Sequence, residues 1–89
     1  MTKQSITSIL KNISDIDQAA TTNTVTTFHI NDTGKCFSVR VIVGTIYCGT
    51  IYCDCIKLCG SDLIQFINDG KIIAMFDYVA IDEIGLLYL

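Results

Sequence analysis

A five-residue unit occurs twice in tandem in this chain, as GTIYC at 44–48 and again at 49–53. The glycines Gly44 and Gly49 are therefore five positions apart, and each is followed by the strand-forming residues Thr-Ile-Tyr. Glycine within a strand pattern usually marks a bulge or a bend. In so short a chain, strands that bend this sharply favour closure into a small β-barrel. The repeat predicts a strand, a tight turn and a second strand that bends.

Before the repeat, the apolar residues change their spacing from helical to strand-like. Near the start they recur at helical intervals, at Ile6, Ile9, Leu10, Ile13 and Ile16. We expect an N-terminal helix within residues 1–18, capped by Thr2 or Ser5, that lays one apolar stripe on the rest of the fold. From Val25 onward the period is two, which is the period of a half-buried strand.

The strand region has recognisable turns and one clear buried face. Phe37, Val39, Val41 and Val43 are predicted to face the core, while Ser38 and Arg40 face the other way. Residues 54–62 resemble a loop, and Asn68-Asp69-Gly70 is a strong hairpin signal. The sequence thus predicts one mostly-β domain over residues 1–89. Its N-terminal α-helix is followed, over residues 24–89, by a small, strongly bent five-stranded antiparallel β-barrel.

Charge and hydropathy limit the possible partners and location. The formal net charge is −3, and the acidic residues concentrate between Gly60 and Leu89. An acidic chain gains little from phosphate neutralisation, which argues against avid, non-specific nucleic-acid binding. No apolar run approaches the roughly 18–20 residues that span a bilayer, and the first ten residues are too polar for a secretory signal. We therefore expect a soluble, cytoplasmic protein without a membrane partner.

The five cysteines and the absence of catalytic motifs indicate a non-enzymatic protein without a cofactor. An odd number of cysteines without an export signal indicates reduced thiols. Zinc at Cys53, Cys55 and Cys59 is the alternative, but C-D-C-x3-C lacks a CxxC pair and His29 is remote in sequence. No phosphate-binding loop, HExxH or nucleophile-elbow motif is present. We expect no metal site and no catalytic residues.

Several spacings resemble the Sm/LSm family, to which the bacterial protein Hfq belongs. The pattern V-x-V-x-V-G at 39–44 resembles the family's first strand and its turn glycine, and G-x4-G-T-I at 44–51 matches the first Sm motif. Residues 75–84 are similar in pattern to the second motif, although its Arg-Gly pair is absent. Such divergent single-domain members also resemble those carried by bacteriophages. The resemblance implies a ring-forming protein that binds single-stranded RNA as a chaperone or regulator.

Four residues are candidates for contacting RNA under this resemblance. Tyr78 would stack on a base at the central rim of the ring, and Asp77 would accept hydrogen bonds from a base edge. Lys57, in the expected loop, would contact a phosphate or base edge, and Asp54 lies close to the place of the family's aspartate. The residue types themselves favour the simpler interpretations, in which Asp77-Tyr78 is a break between strands and Lys57 is a solvated lysine. The alternative function is a ring-forming scaffold that has lost RNA binding.

The final third of the chain predicts self-association. Residues 72–76 and 79–89 are two apolar stretches without proline, and free strand edges of this kind favour aggregation. Pairing of such edges between subunits removes them and, where the rotation closes, generates a ring. In the Sm family the fourth and fifth strands make this contact, and they correspond to these stretches. We expect a homo-oligomeric ring of five to seven subunits.

Overall fold

The computed structural model describes residues 1–13, 16–18, 24–30 and 32–89, and within them the chain forms one α-helix, eight β-strands and one 3-10 helix. The elements are α1 (Lys3–Asn12), β1 (Ile16–Gln18), β2 (Val25–Ile30), β3 (Lys35–Val43), β4 (Ile46–Cys53), β5 (Cys55–Cys59), β6 (Leu63–Asn68), β7 (Lys71–Asp77), the 3-10 helix η1 (Tyr78–Ala80) and β8 (Ile81–Tyr88). The expected fold class, mostly β with an N-terminal helix, is confirmed.

The strands form two antiparallel sheets rather than the five-stranded closed barrel that we expected. One sheet has the order β1-β2-β5-β6-β7 and the other has the order β4-β3-β8. Only Asp54 separates β4 from β5, so one continuous segment leaves the smaller sheet and enters the larger one. The chain passes from one sheet to the other at Asp54, outside the two glycines of the repeat, and this passage does not close a barrel. The prediction of a closed barrel was therefore wrong.

The N-terminal helix is shorter than the predicted range of 1–18. Thr2 is its N-cap, because the Thr2 hydroxyl accepts a hydrogen bond from the Ser5 amide at 3.1 Å. The helix ends at Asn12, and Ile13 has extended backbone angles. Ile16 continues the helical spacing in the sequence but lies in β1, opposite Ile30 of β2. Strand pairing with a distant segment overrides the local helical pattern here.

The core lies between the helix and the two sheets. Fifteen buried side chains form one cluster, and α1 contributes Ile6 and Leu10, both fully buried. Phe37, Val39 and Val41 are buried as the period of two predicts, whereas Val43 is half exposed near the end of β3. The helix therefore covers apolar surface that the sheets leave open, which confirms the predicted role of its stripe.

Glycines shape the turns in the way the repeat predicts. Gly44, with φ of +64°, begins the two-residue turn between β3 and β4. Gly49, with φ of +120°, lies at a β-bulge, because Val41 pairs with Gly49 while Ile42 pairs with Tyr47. Asp69 and Gly70 both have positive φ and connect β6 to β7, so the predicted hairpin is confirmed.

Residues 54–62, expected to be a loop, contain strand β5. Ile56 and Leu58 are fully buried, and the residues that alternate with them are half-buried, which is the pattern of a strand with one core face. β5 is also the central strand of the larger sheet, paired with β2 and β6. The loop prediction was wrong because the cysteines at alternate positions obscured the period of two.

No helix among the described residues is long and apolar enough to cross a bilayer.

Candidate nucleic-acid interface

Tyr78, the predicted base-stacking residue, belongs to the core. Its side chain is 4 % exposed, and its hydroxyl donates to the Gly60 carbonyl at 3.3 Å. The Tyr78 carbonyl in turn accepts a hydrogen bond from the amino group of Met1 at 3.0 Å, and the Tyr78 amide donates to the Asp62 carbonyl. Burial raises the pKa of the Tyr78 hydroxyl. A ring held in this way cannot stack on a base without leaving the core, so we do not retain Tyr78 as an RNA contact.

Asp54 has a structural role at the junction of the two sheets. Its carbonyl accepts a hydrogen bond from the Ile30 amide at 3.0 Å. Its carboxylate accepts a hydrogen bond from the Asp69 amide at 3.1 Å, where the β6–β7 turn requires positive φ. One aspartate thereby joins the bend between β4 and β5 to the turn that follows β6.

The remaining two predicted residues, Asp77 and Lys57, lie on different strands of the larger sheet. Asp77 is exposed at the end of β7, at the opposite end of that strand from the Asp69–Gly70 turn. The seven residues of β7 span roughly 20 Å at about 3.3 Å per residue, so Asp54 and Asp77 cannot contact one ligand group. Lys57 is half-buried in the middle of β5, between Thr27 and Gln65. Asp54 and Asp77 therefore cannot belong to one site, and Lys57 lies on β5, two strands away from Asp77.

The structure shows a different surface with aromatic and cationic side chains, which we call the tyrosine face. It consists of Ser38, Arg40, Tyr47, Thr50 and Tyr52. Tyr52 pairs with Ser38 and Thr50 pairs with Arg40, so these residues lie on the side of the β3–β4 pair opposite the core. Tyr47 joins them, since its hydroxyl lies 2.9 Å from the Thr50 hydroxyl.

The bulge in β4 places both tyrosines of the repeat on this face. Tyr47 and Tyr52 are five residues apart, an odd number, so a regular strand would direct them to opposite sides. The extra residue at Cys48–Gly49 shifts the alternation by one and brings them to the same side. They are 55 % and 53 % exposed. The repeat shows in the sequence that two tyrosines lie five residues apart, but only the position of the bulge shows that they share one side of the sheet.

Arg40 lies at the centre of the tyrosine face with its charge partly compensated. Its guanidinium stands over the Tyr47 ring, 5.3 Å from the centroid. The Arg40 side chain also lies 3.6 Å from the Asp82 carboxylate and 3.9 Å from the Glu83 carboxylate, and all three groups are largely exposed. Exposed ion pairs of this kind contribute little stability and leave the arginine free to exchange partners.

A shallow groove of about 250 Å³ runs beside Arg40 on the same side. Most of its lining side chains are uncharged, and several are small. The lining consists of Ser38, Arg40, Thr50, Glu83, Gly85 and Leu86. Tyr52 is the Cα partner of Ser38, one of the residues of this lining. The groove therefore offers open space, hydroxyl groups and a guanidinium next to an exposed aromatic ring.

The cysteines do not form the zinc cluster that we weighed as an alternative. Cys53 is fully buried in the core, and burial raises the pKa of its thiol to about 12. Cys55 and Cys59 are four residues apart on β5, about 13 Å at the usual strand rise, so one ion cannot bind both thiols. In the part of the chain that the structure describes, no group of three or more His, Cys, Asp or Glu side chains is arranged to hold a metal ion.

Comparisons with protein-family models, with curated proteins and with solved structures found no match to this chain.

Proposed function

We propose that this chain is the subunit of an Sm-like homo-oligomeric ring that binds single-stranded RNA on the tyrosine face. The observation that carries the RNA-binding proposal is the pair of half-exposed tyrosines beside Arg40 on one sheet surface. Aromatic rings stack on bases of any sequence, and an arginine adds hydrogen bonds and charge.

The order of strands after residue 34 supports the Sm-like assignment. It comprises β3, β4, β5, β6, β7 and β8, and if β4 and β5 are counted as one segment because only Asp54 separates them, their number is the five that the resemblance implies. The helix precedes them, as expected. β1 and β2 are additional, and they extend the larger sheet beyond β5.

The edges of the two sheets support assembly into a ring. Within the described residues, β7 pairs only with β6 and β8 pairs only with β3, so each has one unpaired edge. Both strands also expose apolar side chains, including Ile73 and Met75 on β7 and Leu87 on β8. Pairing β7 of one subunit with β8 of the next uses two different edges, a head-to-tail contact that closes into a ring when the rotation permits.

A charge at this contact tests the ring. We expect Ile73→Glu or Leu87→Glu to convert the assembly to monomers, because the carboxylate would be buried between subunits. Ile46→Glu is the matched control, since Ile46 is an exposed isoleucine on β4, outside both edges. Light scattering gives the mass of each variant. Equal masses for Ile73→Glu, Leu87→Glu and the unchanged chain would contradict assembly through β7 and β8.

Titration with short U-rich and A-rich RNAs tests the tyrosine face, with fluorescence polarisation at two salt concentrations. Tyr52→Ala should weaken binding by about 1–3 kcal/mol per stacked base, a loss of roughly fivefold or more, whereas Tyr52→Phe keeps the stacking ring and most of the affinity. The salt dependence should be shallow, because an acidic chain neutralises few phosphates. Equal affinity of Tyr52→Ala and the unchanged protein would refute this placement of the RNA.

The acidic charge favours the alternative function, a ring-forming scaffold without RNA binding. Asp82 and Glu83 flank the one arginine of the tyrosine face, and the chain as a whole carries −3. Assembly into a ring together with no detectable binding to any single-stranded RNA at low micromolar protein would establish the scaffold in place of the RNA-binding protein.

A further inference from the structure

His29 and Cys55 face each other across β2 and β5, although 25 residues separate them in the sequence. The Ile30 amide donates to the Asp54 carbonyl at 3.0 Å, immediately beside this pair. That bond makes His29–Cys55 a non-hydrogen-bonded antiparallel pair, the type with the closest side chains and with Cα atoms about 4.5 Å apart. An imidazole and a thiol are therefore neighbours on the larger sheet.

Both side chains lie on the outer side of this sheet and are accessible from solvent. Phe28 and Ile56, the adjacent residues on each strand, are buried in the core, so His29 and Cys55 point away from it. Each is half-buried, and the thiol is free. On the other side of β2, the Cα partner of His29 is Asp17 of β1.

Imidazole nitrogen and thiolate sulfur are the donor set that Zn²⁺ prefers in proteins. A redox role fits less well, because the nearest thiol along the chain, Cys53, is buried in the core, while Cys59 lies about 13 Å away along β5. We propose that His29 and Cys55 form a two-ligand Zn²⁺ site on the outer side of the five-stranded sheet, with its remaining coordination positions open to solvent. The site is independent of the ring and of the tyrosine face.

The same two strands provide an internal control. Val25 and Cys59 are also Cα partners, and the Gly60 amide donates to the Thr24 carbonyl at 2.9 Å beside them. This is a second non-hydrogen-bonded pair, with a half-buried free cysteine on the same strand and the same side. It differs from the proposed site mainly in having valine where the site has histidine. Metal binding that depends on the imidazole must therefore discriminate between Cys55 and Cys59.

Co²⁺ titration tests the site, because ligation of Co²⁺ by a thiolate produces a charge-transfer absorption band in the near ultraviolet. A Cys48→Ser background removes the exposed thiol of β4. We expect a saturable band that Zn²⁺ displaces, that Cys55→Ser abolishes and that Cys59→Ser leaves unchanged. His29→Ala should weaken Co²⁺ binding by on the order of tenfold or more, because it removes one of two ligands.

Thermal unfolding without metal checks that each variant is folded, and His29→Gln and Cys55→Ala replace any variant that is not. Two results would overturn the proposal. One is the absence of a Co²⁺–thiolate band in the Cys48→Ser protein at millimolar Co²⁺. The other is a band that is lost equally in Cys55→Ser and Cys59→Ser, since this would indicate non-specific thiol binding.

Discussion

Substitution of Tyr78 separates its structural role from a role in RNA binding. Tyr78→Ala removes a side chain that is 4 % exposed and leaves a cavity beside η1. Truncations of buried aromatic residues cost about 3–5 kcal/mol, and we expect a loss of stability in that range. For a domain of this size, each kcal/mol lowers Tm by roughly 4–8 °C.

Tyr78→Phe provides the matched control, because it keeps the buried ring and removes only the hydroxyl. The hydrogen bond that is lost is long, at 3.3 Å, and its acceptor is not left unpaired, since the Lys3 ammonium also donates to the Gly60 carbonyl at 2.7 Å. We therefore expect a cost near the lower end of the usual range, about 0.5 kcal/mol. Tyr78→Phe should bind RNA as the unchanged protein does.

Urea denaturation, followed by circular dichroism at one fixed protein concentration, measures both differences. The fixed concentration is needed because assembly stabilises the folded subunit by mass action. A loss below 1 kcal/mol in Tyr78→Ala would refute the placement of Tyr78 in the core. Loss of most of the RNA affinity in a folded Tyr78→Ala protein, with the affinity kept in Tyr78→Phe, would restore Tyr78 as a stacking residue.

Three further predictions concern the helix, the cysteines and the junction of the sheets. Leu10→Ala should cost about 2–5 kcal/mol in urea denaturation, because Leu10 is fully buried on the core side of α1. A cost near zero would contradict the packing of the helix on the core. At pH 8 iodoacetamide should modify the exposed Cys48 rapidly and Cys53 only after unfolding, because burial raises the pKa of the Cys53 thiol to about 12. Mass spectrometry of the peptides measures the extent of modification at each cysteine. Since the folded pKa lies above the unfolded value of 9.0, the stability from the neutral Cys53 thiol is fully present below pH 9 and is lost as the pH rises toward 12. Asp54→Ala should cost about 0.5–1.5 kcal/mol, because the hydrogen bond from the Asp69 amide is exposed and water can replace the carboxylate. Asp54→Asn should lose less, since its amide oxygen still accepts from Asp69, and equal stability of all three proteins would exclude a role for the carboxylate.

Local sequence signals predicted the elements whose structure depends on nearby residues. The Thr2 cap, the two-residue turns at Gly44 and at Asp69–Gly70, and the alternation along β3 follow from backbone preferences and from the period of two. The boundary of the helix did not follow, because Ile16 leaves the helical pattern to pair with Ile30. That pairing is a tertiary contact, and the spacing of apolar residues carries no information about it.

The candidate site was predictable only in part. Period-two reasoning correctly placed Ser38 and Arg40 on the side away from the core. It did not identify Tyr47 and Tyr52 as their neighbours, since that depends on the extra residue of the bulge in β4. The pairing of His29 with Cys55 depends in the same way on the register of two distant strands, which no local pattern specifies.

Native mass spectrometry of the unchanged chain distinguishes a closed ring from an open chain of subunits and from a monomer. We expect one dominant species of five to seven copies of the 9.8 kDa chain, whose subunit number stays the same as protein concentration rises. A ladder of sizes that grows with concentration would indicate open head-to-tail pairing of β7 with β8. A stable monomer at high micromolar concentration would contradict the ring and the assembly through these two edges.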